Sequence, residues 1–243
     1  MKLLISCMKC FQEFGKPTDE LSRVEFCDDG RYEFTCSFGH ETLTVLQLQK
    51  FEVLFDIGAN AILDGYYREA VSSFTSSLER FFEFCIKVLV ESTAVTEAAY
   101  IKTWKQVSNQ SERQLGAFLF LWLYSMGEVA DVLTNEQVSF RNDVIHKGKI
   151  PTKEEALKYG NAVLEVIRPK ICSLKQKHQE EIHKVIFKHL RDSSKPSHEN
   201  KQVATMYIPT IISLGSGESD YDKKSLEDCL HKLNGRRLCM KNL

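Results

Sequence analysis

The sequence predicts a mainly helical fold with a small β subdomain at its N-terminus. Three observations carry that expectation. Long stretches after about residue 44 place apolar residues three and four apart, the spacing of one helix face. The first 45 residues instead hold glycine, proline and short alternating segments. Four of the eight cysteines also lie before residue 37.

Asp28-Asp29-Gly30 lies between Val24-Glu25-Phe26-Cys27 and Tyr32-Glu33-Phe34, and an Asp-Gly turn flanked this way predicts a hairpin across it. Cys7-Met8-Lys9-Cys10 and Cys36-Ser37-Phe38-Gly39-His40 supply two close pairs of the ligand types that a tetrahedral ion needs. Cys7, Cys10, Cys36 and His40 are therefore the candidate metal ligands, with Cys27 a possible substitute for His40. Four donors close the site, so the metal expected is a structural zinc and not a catalytic one. It would explain how about 40 residues poor in large apolar side chains hold a fold. The alternative is a set of reduced cysteines in a small β subdomain without metal. The two ligand pairs resemble those of a zinc ribbon.

The helices follow in order. A first is expected over Leu46 to Asn60. A second runs from Tyr66 to Leu89, where Ala70, Phe74, Leu78, Phe81, Phe82, Cys85 and Leu89 build one wide apolar face. Gln114 to Leu133 is apolar enough to sit centrally in a bundle. Thr134-Asn135-Glu136-Gln137 reads as a capping box opening the helix that carries Arg141 to His146, with Gly148 and Pro151 as its stop. Thr152-Lys153-Glu154-Glu155 is a second capping box, followed by Leu157, Val163, Leu164 and Ile167. Pro169 is expected to kink or restart that helix, which continues through Ile171, Ile182, Ile186 and Leu190. Residues 191–201, with Pro196, read as a linker. An extended run over Met206 to Ile212, a turn at Gly215-Ser216-Gly217 and a basic helical tail complete the chain. The expected divisions are 1–45, 46–191 and 192–243.

Composition limits the function. A net charge of −1 excludes a nonspecific nucleic-acid coat, so any RNA contact must use a local basic patch. The longest apolar run, Gly116 to Met126, is too short to span a bilayer. The apolar start Leu3-Leu4-Ile5 stops at Cys7, so secretion is not expected and the expected location is cytoplasmic.

Arg141, Asn142 and His146 are the candidate catalytic residues. Asn142 and His146 are four apart and share a helix face. Arg141 is five from His146, roughly 140° around a regular helix, but its side chain is long. An imidazole moves protons at neutral pH, and a guanidinium holds phosphate with paired hydrogen bonds. RNA brings its own nucleophile in the 2′-hydroxyl. The alternative is an ordinary helix end, with His146 and Lys147 complementing the macrodipole and Arg141 in solvent.

Arg141-Asn142-Asp143-Val144-Ile145-His146-Lys147-Gly148, with Ile150-Pro151-Thr152 after it, resembles the Arg-(four to six residues)-His motif of the HEPN superfamily. Gly65-Tyr66-Tyr67-Arg68-Glu69-Ala70-Val71, leading into Leu78-Glu79-Arg80-Phe81, is similar to the opening helix of such domains. The resemblance covers about residues 50–190. It implies a bundle of four or five helices, a homodimer with a composite cleft, and metal-independent endoribonuclease activity with Arg141 and His146 as the catalytic pair and Asn142 as polar helper. RNA is the implied substrate, an antitoxin or regulatory protein a possible partner, and toxin–antitoxin or phage-defence systems the setting. Some members are instead noncatalytic nucleotide-binding or scaffold modules.

Elsewhere, His178, His183 and His189 stand five and six apart among Lys175, Lys177, Lys184, Lys188 and Arg191, which suits a solvated basic surface better than a metal site. Trp104, between Lys102 and Lys105, suits core packing better than base stacking. Glu79 and Glu83 face either the cleft or water. Lys232, Arg236, Arg237, Lys241, Cys229 and Cys239 carry no assignable pattern.

Overall fold

The computed structural model describes residues 2–15, 21–195, 202–215 and 223–241. Pro196 of the expected linker, Ser216 and Gly217 of the expected turn, and the side chains of Arg236, Cys239 and Lys241 lie outside the described residues. The protein is mainly helical with a small N-terminal β region, as the sequence predicts. Its contacts divide it into two units, residues 1–48 with 184–208, and 49–183 with 209–243.

The first unit contains two small sheets. Strand β1 (Lys2–Ile5) pairs antiparallel with β2 (Ser22–Glu25), and helix α1 (Met8–Phe14) lies between them in sequence. Strand β3 (Arg31–Thr35) pairs antiparallel with β4 (Glu41–Leu46), and β5 (Gln202–Met206) pairs parallel with β4 on its other side. The expected hairpin is therefore misplaced. Gly30 does close a turn, its N–H donating to the Cys27 carbonyl at 3.3 Å, with φ of 67°. The strands on either side of that turn, however, belong to different sheets, and the real hairpin turns at residues 36–40. The helical pattern expected from Thr44 is also corrected. Thr42, Leu43, Thr44, Val45 and Leu46 are all buried in the central strand β4, where β-branched residues fit the pleated surface. Leu3, Ile5, Tyr32 and Leu46 form the core, with Val24, Phe26, Phe34, Met206 and Ile208 against it.

In the second unit, α2 (Lys50–Leu63) opens on a capping box formed by Gln49 and Glu52. Helix α3 (Tyr67–Glu91) packs against α2, α5 (Ser111–Met126), α6 (Asn135–His146) and α7 (Lys153–Lys177). Phe51, Phe55, Phe74, Phe81, Phe118 and Trp122 fill the space between these helices, and burial of such side chains stabilises by roughly 1.5–3 kcal/mol each. Helix α4 (Glu97–Val107) precedes α5, and Trp104 on it is half-buried and stacked beside Tyr100. Helix α5 ends earlier than expected, at Gly127, whose φ of 79° ends it in the left-handed conformation. Both predicted capping boxes form, Thr134 with Gln137 and Thr152 with Glu155.

Pro169 lies inside α7 and does not restart it; the helix ends at His178, after which α8 (Gln179–Ser193) begins. The missing proline N–H costs one helix bond, and the buried neighbours Ile167, Arg168, Lys170 and Ile171 hold the helix through it. Residues of α8 from Lys184 onward belong to the first unit. Helix α9 (Leu226–Lys241) lies against α2 and α7. No helix among the described residues is long and apolar enough to cross a membrane.

Candidate functional sites

The Cys/His cluster is assembled by the first unit. Cys7 caps the N-terminus of α1, and Cys10 sits in its first turn. Cys36 follows β3, and the N–H of Gly39 donates to its carbonyl at 2.9 Å, folding the hairpin tip so that His40 turns back. One ligand atom from each of Cys7, Cys10, Cys36 and His40 lies within 4.8 Å of the others. Cys10 Sγ is 3.7 Å from Cys36 Sγ and 3.3 Å from His40 Nδ1, and Cys7 Sγ is 3.8 Å from that nitrogen. A tetrahedral ion with arms of about 2.3 Å to sulfur and about 2.05 Å to nitrogen needs edges of about 3.8 and 3.6 Å. The donor set and its spacing therefore fit a metal ion. Cys27 is exposed and outside the cluster, its Sγ directed to the Glu25 carbonyl, so His40 supplies the fourth ligand position.

The thiols crowd one another. Burial, with hydrogen bonds to Cys7 and Cys36, pushes the Cys10 thiol up to about 12. Burial also acts to raise Cys36, but the backbone amides of His40 and Phe38, with the Cys10 and Cys7 sulfurs, bring it below its ordinary value. Three sulfur atoms at such spacing repel as thiolates, and a bound cation relieves that repulsion.

The Arg141–His146 segment occupies the last two turns of α6. Arg141 is half-buried and directed at α3, its Nη1 3.9 Å from Glu79 Oε1. Among the described residues its Nε is buried without a hydrogen-bond partner. Beneath it, Tyr159 of α7 is buried and packs on Phe140, 5.7 Å between ring centres. The Thr75 hydroxyl donates to the Val71 carbonyl, leaving it to accept from Tyr159 Oη at 3.0 Å. Burial raises the Tyr159 phenol, and the Arg141 charge opposes that rise. Asn142 is half-buried.

His146 is the last residue of α6 and is exposed. Among the described residues it takes part in no hydrogen bond or ion pair, whereas Asp143 pairs with Lys147 at 2.9 Å. Within one chain the segment keeps Arg141 on the packed side of α6 and His146 at its open end. Lys149, just beyond, pairs with Glu155 at 2.7 Å and lies over the Phe140 ring at 4.9 Å.

Sequence reasoning weighed Glu79 without placing it and did not single out Tyr159 as a neighbour of Arg141. Glu83 is engaged elsewhere, with Arg80 and Lys87. The expected solvated row of histidines is corrected. His178 is buried, with Nε2 2.8 Å from Ser125 Oγ and Nδ1 3.7 Å from Glu181, and His189 Nε2 lies 3.2 Å from the Leu46 carbonyl. His183 alone of the three is exposed. No family model, curated protein or solved structure matches the chain.

Proposed function

We propose that this protein is a metal-independent endoribonuclease of the HEPN type, acting as a homodimer in the cytoplasm, with a structural zinc held by Cys7, Cys10, Cys36 and His40. The observation that carries the proposal is the contrast within one segment, a restrained Arg141 and an exposed, unengaged His146. The 2′-hydroxyl of the substrate attacks phosphorus, forming the 2′-O–P bond while the P–O5′ bond breaks. His146 moves a proton during the transfer, and Arg141 holds the phosphate as charge builds on it. Asn142 orients the imidazole or the phosphate. The products are a 2′,3′-cyclic phosphate and a 5′-hydroxyl, and DNA is not cut. Because the two side chains diverge on one helix, a second copy supplies the complementary half of the cleft. A toxin–antitoxin or phage-defence setting, with an antitoxin or other regulator, suits such an activity.

A second reading has its own observation. Glu79 already provides Arg141 with an anionic partner, which suits a noncatalytic scaffold or nucleotide-binding module with the metal unit recruiting another protein. The deciding experiment incubates a mixed RNA pool with the wild type and with His146→Ala, with and without EDTA, and maps new ends. Cyclic-phosphate ends made by the wild type alone support the nuclease. No cutting by a folded, dimeric wild type favours the module, and equal cutting by both proteins removes His146 from the mechanism.

A further inference from the structure

The imidazole of His40 is held from both ends. Its Nδ1 faces the cluster, 3.3 Å from Cys10 Sγ and 3.8 Å from Cys7 Sγ. Its Nε2 points the other way and lies 3.2 Å from Glu13 Oε2. A neutral imidazole carries one proton, and the nitrogen that bonds a metal must offer a lone pair. A carboxylate accepts and does not donate, so Glu13 selects the tautomer protonated at Nε2. That choice leaves the Nδ1 lone pair directed at the three sulfurs.

We infer that Glu13 is a positioning residue for the metal centre, fixing His40 as an Nδ1 ligand through a carboxylate–histidine–metal relay. This rests on the reading of the cluster as a metal site. The relay has a local origin. Cys10 and Glu13 are three apart on α1, so they lie on the same helix face, and Cys7 stands three residues earlier at the cap. One short helix thus contributes a sulfur to the first coordination shell and a carboxylate to the second. The pattern Cys7-x-x-Cys10-x-x-Glu13 is visible in the sequence once the turn at His40 is known.

The alternative is a solvent-facing ion pair without influence on the metal. Glu13 is 54% exposed at its side chain and His40 20%, so the pair sits at the rim and exposure alone does not decide between the two. Ion pairs this exposed commonly have little effect, whereas partners that hydrogen-bond a metal-binding histidine typically change affinity about 10–100-fold when removed. The two expectations are far enough apart to measure.

The test uses the full chain, reduced and loaded with zinc, in competition with a chromophoric chelator. Glu13→Ala is expected to weaken zinc binding about 10–100-fold, and Glu13→Gln, whose amide oxygen still accepts from Nε2–H, to lose less. Zinc affinity of Glu13→Ala within about twofold of wild type overturns the role. A nitrogen-15 spectrum of the zinc-loaded wild type reads the same point without a mutation. Metal on Nδ1 with a proton on Nε2 is expected, and metal on Nε2 overturns the proposal even if a variant fails to fold. Failure of the wild type to bind zinc at all would instead remove the metal centre itself, an outcome distinct from equal binding by the wild type and Glu13→Ala.

Discussion

Replacing Glu52 by glutamine should change the pH dependence of stability more than its level. Glu52 lies on α2 and is almost wholly buried. Its Oε2 accepts from the Gln49 N–H at 2.7 Å and its Oε1 from the Leu214 N–H at 2.8 Å. Burial raises the carboxyl; those two N–H groups oppose the rise without cancelling it, and the carboxyl stands at about 7 instead of 4.5. Nearby, Asp56 accepts from the Ile211 N–H at 2.9 Å, so two acids fasten the segment after Pro209 to α2. The sign follows from proton counting. Below pH 4.5 both folded and unfolded states hold the proton and no penalty exists. Between 4.5 and 7 the unfolded state gives it up first, so stability falls as pH rises. That difference corresponds to roughly 3 kcal/mol, most of which is lost between pH 5 and 8. Denaturant unfolding of the wild type and Glu52→Gln across that range should show the wild type declining relative to the variant by this amount. The variant's lost hydrogen bond is a constant offset and does not affect the slope. Parallel curves, or a wild type that gains on the variant as pH rises, would refute the reasoning and mean that the two N–H donors outweigh burial.

The glycines of the helical unit should divide sharply on substitution. A Cβ on Gly160 would stand 2.5 Å from Leu226 Cδ2 and 2.9 Å from Phe74 Cε2, so Gly160→Ala should destabilise by about 1–3 kcal/mol despite alanine's helix preference. Gly116, with nothing within 4 Å of such an atom, should instead gain roughly 0.5–1 kcal/mol as alanine, and thermal melting of the pair checks both signs. Stripping metal from the Cys/His cluster should speed alkylation of half-buried Cys36 while exposed Cys27 reacts alike in both forms; unchanged Cys36 labelling would count against a bound ion.

Local chemistry was legible where the interacting residues are close in sequence. Thr134 with Gln137 and Thr152 with Glu155 are three apart, and each box places a helix start without help from the rest of the chain. The candidate metal-ligand pairs were legible for the same reason, since Cys7 and Cys10 meet through one turn and Cys36 and His40 through another. The pairing of the strands is not local. Strand β4 pairs in parallel with β5, Thr42 opposite Gln202, and no short-range pattern signals a partner that distant. The Asp-Gly turn misled because turn residues fix where the chain bends, not which sheet each arm joins. Pro169 does not restart the helix, since the buried residues on both sides of it outweigh one missing hydrogen bond.

The same distinction applies to the candidate catalytic segment. Its sequence supplies the residue types, but Glu79, from another helix, provides the anionic partner of Arg141. An exchange of Glu79 for a substrate phosphate would cost little, because a partly exposed pair at 3.9 Å contributes at most about 1 kcal/mol. A phosphate carries comparable charge and can meet the guanidinium with two parallel hydrogen bonds. Packing of Phe140 on Tyr159 beside it is unaffected by that exchange. On the proposed reading Arg141 therefore enters the reaction already positioned. On the same reading, the step that assembles the cleft would be the approach of a second chain toward the exposed end of α6.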